Sequence, residues 1–230
     1  MSTTRRFFMH GSMGLTLGTR LVPVAAETTP TPAPVLTITR SGGDLLSRMS
    51  WLNPPASEHY DEGTLSVRSK GKTDFWRRTF YGYITDNGHF LGAPVVGDFT
   101  FTARVHGNYS ALYDQAGLMV RLDEKHWMKC GSEFFDDKRW ASVVFTHEFS
   151  DWSTLEDLSQ TSAIWWRVMR KKDSLEVQCS KDGEKFTTIR QGYFPAGVGV
   201  NAGVMCAAPE GAGFDATFDQ LTLEHSVPPP

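Results

Sequence analysis

The strand-like segment 126–135 carries the side chains with the clearest capacity for chemistry. Side chains of an extended strand alternate between two faces, so Trp127, Lys129 and Glu133 share one face while apolar residues occupy the other. An aromatic ring beside a cation and a carboxylate suits a sugar, whose C–H face packs on the ring while its hydroxyls bond the polar groups. We therefore predict a ligand-binding surface here; in the alternative interpretation these residues only solvate the outer face of a sheet.

Two further pairs extend this predicted surface. If the neighbouring strands pair in one sheet, Gln115 and Arg121 join the same polar band. Asp151 and Trp152 stand where a strand runs into a polar stretch, predicted as a loop or helix, that reaches Thr161. Loops at the ends of a sandwich often carry binding residues, although these two can equally cap an edge and a turn.

A catalytic role is tested by the spacing of carboxylates. Glycoside hydrolysis needs two facing carboxylates, and Glu133 is the candidate acid or base. Its nearest neighbour of this type, Asp136, lies at an odd spacing and is expected to point to the other face unless a bulge intervenes. The sequence also lacks a nucleophile elbow, a metal-type histidine pair and a glycine-rich phosphate loop. We predict no cofactor, no metal and, on balance, no enzyme.

The composition of the chain limits the classes of partner that we expect. The formal net charge of -3 with both signs mixed along the chain supplies no basic surface for a phosphate backbone, so nucleic acid is not expected. Cys130, Cys179 and Cys206 lie far apart in apolar runs, without zinc-type spacing, which favours buried thiols over a disulfide. No segment approaches the about 20 apolar residues of a membrane span, so no transmembrane segment is expected in the mature chain. The oligomeric state is left open.

The elements that must position these residues are strands. From about residue 36 to 225 the hydrophobic pattern has a period of two, as in Phe99, Phe101, Ala103 and Val105, with turn residues at short intervals. Clean alternation is typical of antiparallel sheets with one buried face. The sequence therefore predicts an all-β protein, an antiparallel β-sandwich, in a single domain over 36–225.

The ends of the chain differ in composition from this domain. Residues 1–26 contain no acidic residue and end in Val24-Ala25-Ala26, as signal peptides do. Thr4-Arg5-Arg6-Phe7-Phe8-Met9 resembles the twin-arginine export motif, which implies export to the periplasm or the cell exterior; the alternatives are a disordered tail or a transit peptide. Residues 27–35 are predicted as a Pro/Thr linker and 226–230 as a Pro-rich tail.

Several motifs resemble one family. They are Tyr113–Arg121 (YDQAGLMVR), Trp127–Phe134 (WMKCGSEF) and Ser150–Ser153 (SDWS), with Asp74–Thr79 (DFWRRT) and Ser180–Gly183 (SKDG) in the expected order. Together they resemble the domain of unknown function 1349, over roughly Asp44 to Glu224. The first two also resemble the β-sandwich attached to some β-xylosidases. The chain departs from the family pattern at Cys130 and Ser132, both on the predicted core face.

The resemblance implies the concanavalin A-like lectin/glucanase jelly roll, in a family that includes proteins labelled as regulators of enolase. Glucanases of this fold carry Glu-x-Asp-x-x-Glu on one strand, and no segment here matches it. The family has no established catalytic residues to carry over, so its fold does not fix a function. We predict a non-catalytic, lectin-like carbohydrate-binding domain. The alternatives are a glycoside hydrolase using Glu133 and a structural or regulatory protein-interaction module.

Overall fold

A computed structural model describes residues 35–37 and 44–225, most of which lie in strands. In chain order the elements are β1 (Val35–Thr37), α1 (Asp44–Ser47), β2 (Ser50–Leu52), β3 (Ser57–Asp61), β4 (Thr64–Arg68), β5 (Phe75–Arg77), β6 (Ile84–Asp86), β7 (His89–Val95), β8 (Phe99–Gly107), β9 (Gln115–Arg121), β10 (His126–Phe135), β11 (Lys138–His147), β12 (Phe149–Asp157), β13 (Ala163–Lys171), β14 (Ser174–Ser180), β15 (Thr187–Tyr193), β16 (Val200–Ala207) and β17 (Asp215–His225). In these described ranges no helix is long and apolar enough to cross a membrane.

Two large antiparallel sheets form a sandwich. The eight-stranded sheet has the order β15-β14-β13-β8-β17-β4-β3, with β1 also paired to β17, and the seven-stranded sheet has the order β12-β11-β10-β9-β16-β7-β2. Every pairing between these strands is antiparallel, as the alternating hydrophobic pattern predicts. The predicted all-β sandwich is thus confirmed.

The main core lies between the two sheets. Alternate residues of β8, led by Phe99 and Phe101, meet Met128 and Cys130 of β10 in one buried cluster, which confirms the predicted inward faces. The three cysteines are buried and form no disulfide, as the apolar runs around them predict. The two inner faces supply most of this core, and Leu45 of α1 completes it together with apolar residues of the loops.

A second apolar layer covers the outer face of the seven-stranded sheet. Strands β5 and β6 form their own two-stranded sheet, and Phe75 of β5 packs on Trp127 with ring centroids 6.1 Å apart. Arg121 anchors the hairpin by donating to both carboxylate oxygens of Asp86, at 2.8 and 2.7 Å. The expectation that this sheet face is wet is therefore wrong: Trp127 is fully buried, because the β5–β6 hairpin takes the place of solvent there.

The stretch from Asp151 to Thr161 also differs from its prediction. It was expected to be a loop or a helix, but most of it belongs to β12, the edge strand of the seven-stranded sheet. An edge strand has a neighbour on one side only, so it tolerates polar side chains that would be costly in a central strand. Its polar composition therefore does not mark a loop.

Candidate ligand-binding pocket

A cavity of 170 Å³ opens between the β5–β6 hairpin and the outer face of the seven-stranded sheet. Aromatic side chains form its walls: Trp76, Tyr81, Tyr83, Tyr113 and Trp152. Polar side chains form its floor and one edge: Asp74, Gln115, Lys129, Glu133 and Glu210. A concave, mostly apolar site with a few convergent polar groups is the usual form of a small-molecule site.

The register of the sheet places the floor. Glu133 of β10 lies directly opposite Gln115 of β9, and Lys129 lies opposite Val144 of β11, which is in turn opposite Trp152 of β12. These residues therefore share the outer face. Gly131, between Lys129 and Glu133 on that face, has no side chain, and a void of 10 Å³ remains beside it.

The loop between β5 and β6 raises the aromatic wall. The rings of Tyr81 and Tyr83 stack with centroids 5.5 Å apart and an interplanar angle of 24°, and Trp76 meets Tyr81 edge to face at 5.7 Å. Arg78 and Phe80 adopt positive φ angles of 60° and 61°, which is unusual for residues with a Cβ. The loop thus turns tightly enough to direct both tyrosines toward the cavity.

Lys129 and Asp74 form a largely buried ion pair in the floor. The Nζ atom of Lys129 lies 3.2 Å from Asp74 Oδ1 and donates to the carbonyl oxygen of Phe75 at 2.8 Å. The amide of Gln115 donates to Asp74 Oδ1 at 3.4 Å and to the carbonyl of Tyr113 at 3.2 Å. Asp74 is therefore held by a cation and an amide rather than by solvent.

Glu133 is a buried carboxyl whose hydrogen-bond donors are neutral. Trp152 Nε1 donates to Glu133 Oε2 at 3.0 Å and lies equally close to Ser142 Oγ. Burial raises the pKa of Glu133, while the charge of Lys129 and hydrogen bonds from Ser142 and Trp152 oppose that rise. Loss of solvent is the largest of these effects, so the carboxyl keeps its proton to a higher pH than an exposed glutamate.

Of the seven predicted site residues, four line the cavity: Gln115, Lys129, Glu133 and Trp152. Three do not. Trp127 lies beneath the floor, fully buried. Arg121 is occupied by Asp86. Asp151 points to the sheet face opposite that of Trp152, where its carboxylate lies 3.0 Å from Arg190 Nη2.

Sequence reasoning did not assign the hairpin's contribution to the site. Asp74 and Trp76 lie in the motif 74–79, and Tyr81 and Tyr83 follow it directly. The signal available was the density of aromatic residues between Phe75 and Tyr83, which exceeds what two three-residue strands need for their own packing. For Tyr113 the available signal was its place as the first residue of a family motif.

The chemistry open to this cavity is limited by how its carboxylates are engaged. Asp74 is paired with Lys129, and Glu210 lies 3.3 Å from Lys72 at the exposed edge. Glu133 is the remaining carboxylate of the lining. Among the described residues no group of histidine, cysteine, aspartate and glutamate side chains is arranged to hold a metal ion.

Solved structures share this fold. A functionally unknown protein from Saccharomyces cerevisiae is 40% identical with a TM-score of 0.76, over 79% of this chain and 98% of that one. A xylan beta-1,4-xylosidase from Bacillus halodurans has a TM-score of 0.66 at 12% identity, over 88% of this chain and 41% of that one. At that identity the second likeness is one of fold alone.

Relatives in sequence come from fungi. A Saccharomyces cerevisiae protein named Regulation of enolase protein 1 is 41% identical over 178 residues, which cover 77% of this chain and 90% of the relative. An uncharacterized protein of Emericella nidulans is 29% identical over 171 residues, or 69% of this chain and 85% of that one.

These relatives correct one prediction. Export was inferred from residues 1–26, which lie outside the described residues, whereas the yeast relative at 41% identity is named for the regulation of enolase and brings no evidence of export. The prediction of export is therefore wrong.

The family suggested by the sequence motifs is confirmed. The sequence model described as "Protein of unknown function (DUF1349)" matches residues 51–226, most of the chain and every strand that builds the pocket. The protein belongs to the DUF1349 family.

Proposed function

We propose that the protein binds a carbohydrate in the aromatic pocket and does not cleave it. The proposal rests on one observation: five aromatic and five polar side chains line the same cavity. A sugar ring offers C–H faces that pack on aromatic rings and hydroxyls that exchange hydrogen bonds with amides and charged groups. The volume of 170 Å³ suits one sugar ring better than a long chain.

The exposure of the walls supports access by such a ligand. Tyr81, Tyr83 and Trp152 keep between 39% and 47% of their surface exposed beside buried polar groups. Large aromatic side chains left open to solvent around a cavity are characteristic of binding surfaces. The proposal is also supported by the fold likeness to a protein named as a xylosidase, an enzyme that acts on sugars.

The hydrogen bonds of Asp74, the second carboxylate of the cavity, favour binding over hydrolysis. Asp74 lines the same cavity as Glu133, so the pair that a glycosidase needs is present by residue type. Asp74 Oδ1, however, accepts from Lys129, from Gln115 and from the backbone N–H of Phe75 at 2.7 Å. A carboxylate held in this way is poorly placed to act as a nucleophile or as a base toward water.

The test is a glycan-panel screen followed by calorimetry with the purified protein. Tyr81→Ala is expected to weaken binding about two- to tenfold, because a contact with such a ring contributes about 0.5–1.5 kcal/mol. Tyr193→Ala is the matched control, since Tyr193 is 62% exposed and lies outside the cavity lining. Absence of binding to every glycan contradicts the proposal. If the protein cleaves a bound glycan and Glu133→Gln abolishes this cleavage, the protein is a glycoside hydrolase and the binding-only proposal is wrong.

A second candidate function is regulation of enolase through direct contact, favoured by the name of the yeast relative. The tip of the β5–β6 loop supplies an exposed apolar side chain, Phe80, at 93% exposure. The measurement is the activity of enolase from the same organism, with and without the protein. A change that Phe80→Ser abolishes supports this candidate, and an enolase that neither binds nor changes in rate excludes it.

A further inference from the structure

The charges that line the pocket do not balance. Its lining holds three carboxylates, Asp74, Glu133 and Glu210, and one ammonium, Lys129. Lys129 is used by Asp74 at 3.2 Å, and Lys72, outside the lining, lies 3.3 Å from Glu210 at the solvent-exposed edge. Glu133 is left as a buried carboxylate that receives only neutral donors.

Neutral hydrogen-bond donors alone do not fully compensate the negative charge of a buried carboxylate. An ionised carboxylate taken out of water is costly unless a cation or several strong donors compensate it. The indole N–H of Trp152 and the hydroxyl of Ser142 provide part of this compensation, and Lys129 acts only from a distance because its ammonium is bonded to Asp74 and to Phe75 O. A positively charged ligand group at Glu133 would supply the remainder.

The walls favour the same charge. The faces of tryptophan and tyrosine rings carry negative potential and attract ammonium groups within about 6 Å of the ring centre. The five wall rings enclose the cavity next to Glu133, and Trp152 is both a wall and the donor to that carboxylate. The ring faces and the Glu133 carboxylate therefore attract a cation into the same part of the cavity.

We propose that the sugar bound in this pocket is an amino sugar, whose protonated amine lies against Glu133 and between the aromatic faces. This inference rests on the proposed carbohydrate-binding function and names the class of sugar. An acidic sugar is disfavoured, because its carboxylate would meet Glu133 and Asp74. An N-acetylated sugar carries no positive charge, so it cannot form an ion pair with Glu133.

A matched ligand series tests the proposal. Short β-1,4-linked glucose oligomers are made with a hydroxyl, an amine or an acetamide at C2, and the three differ in this group alone. Titration calorimetry is performed at a pH where the amine is protonated. The amino series is expected to bind at least about tenfold more tightly than the hydroxyl series, as one charge-assisted contact provides.

Variants assign the preference to its source. Glu133→Gln keeps the shape and one acceptor oxygen of the side chain, and is expected to remove the preference for the amino series over the hydroxyl series. Asp151→Asn is the charge-matched control, because it removes a carboxylate of β12 in the same sheet that faces away from the pocket. Tyr81→Leu tests the ring faces separately and is expected to weaken amino binding more than hydroxyl binding.

The outcomes separate the two proposals. Equal affinity for the three series overturns the amino-sugar inference and leaves carbohydrate binding in place. Binding of neutral but not amino oligomers does the same. Absence of amino-sugar binding together with an empty glycan panel overturns both. A preference that persists in folded Glu133→Gln protein, checked by circular dichroism, overturns the role given to Glu133.

Discussion

The indole nitrogen of Trp152 donates a hydrogen bond to Glu133 Oε2 at 3.0 Å across 19 positions of sequence. The two residues meet because β10, β11 and β12 follow one another in the sheet. One side chain of the edge strand thus both walls the cavity and fixes the orientation of its buried carboxyl.

Trp152→Phe separates these two roles, since it keeps an aromatic ring and deletes the N–H. We expect the pKa of Glu133 to rise further, because the Trp152 hydrogen bond lowers it, and ligand affinity to fall about three- to tenfold. Carbon-13 NMR of the glutamate carboxyls and calorimetry measure the two effects. Trp152→Ala removes ring and donor together, and an equal loss in both variants contradicts a separate role for the N–H.

Lys129→Met is expected to lower the free energy of unfolding by about 3–5 kcal/mol, because it leaves the carboxylate of Asp74 without its cation in a largely buried place. Denaturant unfolding measures this loss. The double variant Asp74→Asn/Lys129→Met removes the orphaned charge and is expected to recover part of it. A double variant no more stable than Lys129→Met disproves that the orphaned charge is the cause.

Glu133→Gln is expected to stabilise the unliganded protein at neutral pH. An unfolded glutamate titrates near about 4.3, and burial raises the folded pKa. Between these values the folded state binds more protons, so the stability of the parent falls as the pH rises through that window. The variant lacks this fall. Unfolding temperatures across pH 4–8 measure it, at about 2–4 °C for each kcal/mol recovered, and parallel pH profiles disprove it.

Arg121→Ala is expected to loosen the β5–β6 hairpin while the sandwich persists, because Arg121 forms both bonds to Asp86. Amide hydrogen exchange should quicken in residues 75–86 with ligand affinity reduced at least about tenfold. Arg104→Ala is the matched control, since it breaks a two-point bond to Asp219 on the other sheet. Equal effects on binding from both variants contradict the anchoring role.

Gly117→Ala is expected to cost about 2 kcal/mol or more, because an added Cβ would lie 1.9 Å from the backbone oxygen of Cys130, and backbone of a central strand cannot move aside cheaply. Gly199→Ala is the control, where the new atom meets only the side chain of Val96, at 3.3 Å, and a carbonyl oxygen at 4.0 Å. Thermal unfolding compares the two, and similar midpoints are the contrary result.

The sequence was sufficient for the sandwich and for four residues of the pocket lining. Alternation states which side chains share a strand face, so Lys129 and Glu133 were correctly grouped. It does not state what lies above that face, so the prediction that Trp127 lies on the surface is wrong. Met119 is an apolar residue on the face that was predicted to contact solvent, and this already indicated that the face is covered. In the structure Met119 is fully buried. Asp151 and Trp152 were paired as chain neighbours, although neighbours on a strand face opposite ways.

Three of the five wall residues, Trp76, Tyr81 and Tyr83, lie on a short excursion of the chain between β4 and β7, while Glu133 and Trp152 belong to the seven-stranded sheet. Part of the recognition surface is therefore carried outside the strands that form the main core. Changes at the exposed rings of Tyr81 and Tyr83 can redirect recognition at little risk to folding. Two chains with the same sheets can therefore present different surfaces to a ligand.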